Sequence, residues 1–129
     1  MRRLSVSMLG ALALGLSASA AAAPGDMSVA NFLTLAESLQ ERGALALLSS
    51  DLRELRAEVS GSSTLYRARL AADRAAGRTP HSCPPPEGSA SINSDELTTH
   101  MRSYPAARRT TLTVREALFD LMRRRYPCG

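Results

Sequence analysis

The chain has 129 residues and a formal charge of +4, with 16 basic residues against 12 acidic ones; every basic residue is arginine, and tryptophan is absent. Without lysine, Schiff-base chemistry, a lysine-bearing phosphate loop and serine–lysine nucleophile activation are excluded. So small an excess of charge also argues against nucleic acid as the main partner.

Arg2 and Arg3, an apolar run over residues 8–16 and small residues over 17–23 form the three parts of a cleavable secretory signal. The run is about nine residues, well short of the roughly 20 that span a bilayer, so no membrane span is expected. Residues 1–22 read as the signal, with cleavage among Ala20, Ala21 and Ala22, and residues 23–129 as a single domain delivered to the periplasm. Removing Arg2 and Arg3 leaves 14 arginines against 12 acids, a charge of +2.

Ser28 is a candidate N-cap for a first helix carrying Val29, Phe32, Leu33, Ala36 and Leu39 at helical spacing and ended by Gly43. Residues 44–48 form an apolar stretch long enough for one turn. Asp51 with Glu54 resembles a capping box, and Leu52, Leu55, Val59, Tyr66 and Leu70 behind it predict a long second helix to about Ala76. Gly61, Ser62 and Ser63 weaken its middle, where a kink or a break is an open alternative. Residues 77–91 change to Gly, Pro and Ser, with Pro84, Pro85 and Pro86 in succession, and predict a stiff extended loop.

Asn93 and Glu96 predict a second capping box, with Ile92 and Leu97 as a hydrophobic staple and Leu97, Met101 and Tyr104 on the buried stripe. This third helix ends before Pro105. The last helix carries Val114, Ala117, Leu118, Leu121 and Met122, beginning either at Pro105 or at Thr113, whose partner Glu116 makes another capping box; Pro127 stops it. No alternating strand pattern or internal repeat is present, so the expected class is all-α, a small bundle of about four helices.

Cys83 and Cys128 are the two cysteines of the chain, and export to an oxidising compartment predicts a disulfide between them. Closing a loop of about 46 residues stabilises a fold by roughly 4 kcal/mol on the chain-entropy account. Two rival readings, a Cys83 nucleophile served by His81 or His100 and a zinc site of His81, Cys83, His100 and Cys128, lack the usual ligand or triad spacing. Neither a metal nor any other cofactor is expected.

The remaining candidates have plain explanations. Arg123, Arg124 and Arg125 suit an anionic ligand but also complement the dipole at a helix C-terminus. Arg108 and Arg109 read as solvated charge, Asp95 and Glu96 as ordinary first-turn acids, and His81 and His100 as surface histidines. The nucleophile elbow, the zinc-protease pair and the dinucleotide-binding glycine motif are all missing from the sequence. No catalytic residue is assigned.

Between His81 and Cys128 the order Cys83-Pro84-Pro85, Ser94-Asp95-Glu96-Leu97, Arg102-Ser103-Tyr104-Pro105, Glu116-Ala117-Leu118 and Tyr126-Pro127-Cys128 resembles the Rap/Tai amidase-immunity family of type VI secretion systems. The resemblance implies a small exported helical protein that binds and blocks a peptidoglycan amidase toxin in the periplasm. An inhibitor of that kind needs a rigid loop able to enter a cleft, and residues 84–88 (Pro84, Pro85, Pro86, Glu87 and Gly88) are the expected partner-binding segment. A homodimer is an open alternative to a monomer. The competing function is that of a small acid-activated periplasmic chaperone, likewise helical, exported and held by one disulfide.

Overall fold

A computed structural model describes residues 23–89 and 92–129; the expected secretory signal lies outside the described residues. Helix α1 spans Val29–Arg42 and opens where Ser28 Oγ accepts the Asn31 N–H at 3.2 Å. It turns Val29, Phe32, Leu33 and Leu39 inward. At Gly43 the backbone takes a positive φ of 56°, a conformation glycine adopts without penalty, and residues Gly43–Leu48 form a 3-10 turn. Only Ala46 of that turn is buried.

Helix α2, Ser50–Ala75, runs unbroken for about 39 Å at the usual 1.5 Å per residue. Its cap is Ser49, whose Oγ accepts the Asp51 N–H at 3.1 Å, and not the expected Asp51–Glu54 box. Asp51 lies inside the first turn and pairs with Arg42 at 3.0 Å. The helix does not break at residues 61–63, the expected weak point. Ser63 and Thr64 return their hydroxyls to the Val59 and Ser60 carbonyls at 2.9 and 3.0 Å, so these polar groups are satisfied inside the helix. Gly61 has a tertiary reason to be there: a Cβ built on it would stand 2.4 Å from the Cβ of Pro24.

Pro24 belongs to a leading segment laid across the helices. Met27 N–H reaches the buried Glu58 carboxylate at 2.8 Å, and Met27 carbonyl accepts the Val114 N–H at 2.8 Å. Val29 N–H bonds Leu112 carbonyl at 2.8 Å, so the starts of α1 and of the last helix are stitched together by an isolated bridge between Ser28 and Thr113.

Helix α3, Ser94–Arg102, is capped by Asn93, whose Oδ1 accepts the Glu96 N–H at 2.8 Å. The expected box is only half made, because the Glu96 carboxylate turns away to Arg125. Both candidate starts of the final helix are used, by separate elements: a single turn α4, Ala106–Arg109, then α5, Val114–Arg125, with the Thr113–Glu116 box complete. Arg109 is not simply solvated. Its guanidinium caps the end of α3, reaching the carbonyls of Tyr104 at 2.8 Å and Arg102 at 3.0 Å.

Helix α5 packs on α1, α2 and α3, and α1 packs on α2, α3, α4 and α5, which ties the helices into one all-α bundle. Phe32, Leu55, Tyr66, Leu70, Leu97, Met101, Leu118 and Met122 meet in one core, and no strand occurs among the described residues. None of the described helices is long and apolar enough to cross a membrane.

The contact between Gly61 and Pro24 reverses the usual glycine rule. In an ordinary exposed helix interior, Gly→Ala is worth about 1 kcal/mol of stability. Here Gly61→Ala forces the leading segment off the helix, and a net loss of about 1 kcal/mol is expected in urea denaturation. A variant more stable than the parent would show that Pro24 does not lie against Gly61.

Candidate functional site

The chain leaves α2 through Gly77, at φ 66°, and doubles back along the helix. What directs it is Asp73, which retains no accessible surface. Its carboxylate accepts from Arg69 Nε at 3.0 and 3.1 Å, from Arg78 at 3.0 Å and from the His81 backbone N–H at 3.1 Å. The hydrogen bond from Arg78 leads in holding the Asp73 carboxyl below its ordinary range; burial opposes this, and Arg69 and the His81 amide add to it. Both arginines are more than half exposed and close over the carboxylate like a lid.

With His81 fixed, the next residues fall into place. Ser82 is fully buried and its Oγ lies 2.5 Å from the Tyr66 hydroxyl. The His81 ring meets Tyr66 and Phe119 edge-on, with centroids 6.2 and 5.5 Å away. Cys83 N–H donates to the Tyr126 carbonyl at 2.8 Å, and Cys83 is disulfide-bonded to Cys128 across 45 residues. The expected pairing is therefore present, and no free thiol serves as nucleophile or ligand. Among the described residues no group of three or more His, Cys, Asp or Glu side chains is placed to hold a metal ion.

Beyond Cys83 the expected partner-binding segment lies at the surface. Pro84 is half-buried, while Pro85, Pro86, Glu87 and Gly88 are exposed. Glu87 reaches back to Arg67 on α2 at 3.2 Å, so the segment is held near both ends. Between it and α2 lies a groove of about 550 Å3 floored by Leu70, Leu97, Leu118 and Met122.

A second polar cluster joins α3 to α5. Tyr104 hydroxyl donates to Asp120 Oδ2 at 2.5 Å, and His100 Nε2 lies 2.9 Å from the same hydroxyl and 3.5 Å from the carboxylate. Arg124 and Arg123 reach Asp120 at 3.0 and 3.5 Å. Burial resists ionisation of Asp120, but the Tyr104 hydroxyl and Arg124 outweigh it and keep the carboxyl below its ordinary range. Burial, reinforced by Asp120, pushes the Tyr104 phenol far upward. Neither histidine is the surface group expected from the sequence. The His100 side chain is 9% exposed, and burial lowers the affinity of both imidazoles for a proton, with Arg123 adding to the effect at His81.

The arginine triplet is likewise not an open anion patch. Arg123 and Arg124 serve Asp120, and Arg125 serves Glu96 while lying over the Tyr126 ring at 5.5 Å. Asp95 is exposed and Glu96 is committed to α5, so the two do not converge as a catalytic pair. Asp73, Asp120 and Tyr104 carry no motif that marks them in sequence. The one available signal was an acid spaced four residues from an arginine, in Arg69–Asp73 and Asp120–Arg124.

Set against protein-family models, curated proteins and solved structures, the chain matches none of them.

Two outcomes follow from this geometry. The Cys83→Ser, Cys128→Ser double variant should lose about 4 kcal/mol in urea denaturation, as expected for opening a loop whose ends lie 45 positions apart. Unchanged stability would mean that the return segment is held by Asp73 alone. Acidification should also destabilise the fold. Because the folded chain favours neutral His81 and His100, the unfolded chain takes up protons first as pH falls below the ordinary 6.5, and unfolding gains. A second loss follows below about 3.8, where Asp73 and Asp120 are protonated more easily in the unfolded chain. Urea midpoints should be lower at about pH 5.5 than at about pH 7.5, with the difference reduced in His100→Gln; equal midpoints would contradict the buried neutral imidazoles.

Proposed function

We propose that this protein is an exported, periplasmic, non-enzymatic binding protein of the amidase-immunity type, which blocks a peptidoglycan amidase by presenting residues 84–88 to its cleft. The observation that carries this reading is the state of that segment: exposed from Pro85 to Gly88, built on three consecutive prolines, and held by the disulfide at Cys83 and by Arg67 at Glu87. Proline has already fixed φ at three positions, so little backbone freedom remains to be lost when a partner closes around the loop. The motif resemblance over residues 81–128 supplies the class of partner. Half-buried histidines and committed carboxylates fit a role in structure better than one in turnover.

A second reading has one observation in its favour. Leu45, Leu47 and Leu48 are 73, 72 and 86% exposed on the 3-10 turn, an apolar surface of the kind an acid-activated chaperone presents to unfolded clients. The two differ in where binding is lost.

The mature chain, immobilised, should capture a cell-wall amidase from periplasmic extract and inhibit it in titration. Replacing Pro84, Pro85 and Pro86 with Gly-Ser-Gly should weaken that binding by about 1 to 2 kcal/mol, roughly ten-fold, with helix content unchanged by circular dichroism. If the loop variant binds as well as the parent while Leu47→Ser and Leu48→Ser abolish capture of unfolded clients at low pH, the chaperone reading replaces this one.

A further inference from the structure

The groove between α2 and the proline loop has a composition that neither the disulfide nor the amidase reading requires. Its floor, Leu70, Leu97, Leu118 and Met122, is the outer surface of the core. Its rim on α2 carries Arg67 and Arg74, seven residues and therefore two turns apart on one face, about 10 Å along the axis. Arg67 faces Glu87 in an ion pair with both side chains more than half exposed, a kind of pair that is weak and easily exchanged. Arg74 has no carboxylate partner among the described residues, and its charge bears on the buried Tyr66 hydroxyl. Two arginines against one glutamate leave the mouth of the groove with one positive charge in excess.

The groove walls also discriminate between an alkyl chain and a peptide. A bound peptide brings a backbone N–H and C=O at each residue, and each must find a partner once water is excluded. On its helical wall this groove has few to offer. The α2 backbone bonds within the helix, Ser63 hydroxyl is returned to Val59, Tyr66 hydroxyl is engaged by Ser82, and the three prolines of the opposite wall have no N–H. An alkyl chain needs no such partners and gains about four-fold in affinity for each methylene it buries.

We infer that the groove between α2 and the proline loop is a binding site for a single-chain fatty carboxylate, its chain on the Leu70, Leu97, Leu118 and Met122 floor and its headgroup on Arg74 and Arg67. A volume near 550 Å3 lies within the usual range for small-ligand sites. The carboxylate matches the single excess charge and suits the planar fork of a guanidinium.

The test is calorimetric titration of the mature, disulfide-bonded chain with decanoate below its micelle concentration, with hexanoate and 1-decanol as comparisons. Decanoate should bind at least ten-fold more tightly than either, since hexanoate loses methylenes and decanol loses the charge. The Arg67→Gln, Arg74→Gln double variant should lower decanoate affinity at least ten-fold and leave decanol unchanged. Ser63→Trp, which fills the groove from α2, should abolish binding of both; should that variant not fold, the arginine pair carries the test alone. Absence of decanoate binding, equal affinity for decanol, or affinity indifferent to the arginine substitutions would each overturn the site. No partner protein enters this experiment, so its outcome is independent of whether an amidase is bound.

Discussion

A carboxylate with no access to water is costly unless its charge is matched, and Asp73 is the point at which this fold meets that cost. Its three donors, Arg69, Arg78 and the His81 amide, come from the helix that carries it, from the turn after it and from the segment beyond. The arrangement forces the chain to reverse at Gly77 and run back against α2, because only then does the His81 amide arrive within reach. Everything downstream inherits that direction. His81 is delivered to Tyr66 and Phe119, Ser82 to the Tyr66 hydroxyl, and Cys83 to within bonding distance of Cys128. The disulfide therefore locks a path that Asp73 has already selected. That the two arginines stay half in solvent matters too, since a fully enclosed ion triad would carry a desolvation penalty larger than its attraction returns.

Helix α5 plays the corresponding part on the other side of the bundle. Asp120 gathers a phenol, an imidazole and two guanidinium groups, and Arg125 crosses to Glu96 at the start of α3. A run of three arginines that reads as a cationic tail is thereby tied to two carboxylates, and it anchors the last turn just before the chain enters Tyr126 and the disulfide. Among the described residues the surface also presents the loop over residues 84–88, the groove behind it, and the three leucines of the 3-10 turn.

The elements legible in the sequence are those whose cause is local. Ser28, Asn93 and the Thr113–Glu116 pair announce helix starts because a cap is made within three residues, and the apolar spacing behind each one predicts the buried stripe. The cysteine pair was readable because the chain holds two thiols and each has one available partner. Failures occur where the decisive partner is distant in sequence. Gly61 looks like a weak point until Pro24, 37 residues earlier, is placed against it. Glu96 satisfies a box pattern but is claimed by Arg125, 29 residues away. The histidines look exposed because neither sits on a predicted apolar stripe, whereas the groups that cover them, Phe119 and Asp120, come from α5. Of the candidate site, the proline loop was visible as composition; the groove was not, since its floor consists of core residues contributed by three helices.

Two kinds of rigidity coexist in this protein, and they respond differently to acid. The body of the bundle leans on groups that titrate: neutral imidazoles at His81 and His100 and ionised carboxylates at Asp73 and Asp120. The loop leans on prolines and a disulfide, none of which titrates in water; only its Arg67–Glu87 clasp involves charge, and that pair is exposed. Lowering the pH therefore loosens the body before it changes the shape of the loop. A protein that works by presenting a preformed loop keeps its binding surface until the body gives way, so its activity should track folded population alone. One that works by exposing apolar surface needs the body to loosen while the chain stays tethered, and the same disulfide would then limit how far the C-terminal half opens. The order of these events, loop affinity against global unfolding along one acid titration, is the physical distinction between the two modes of action.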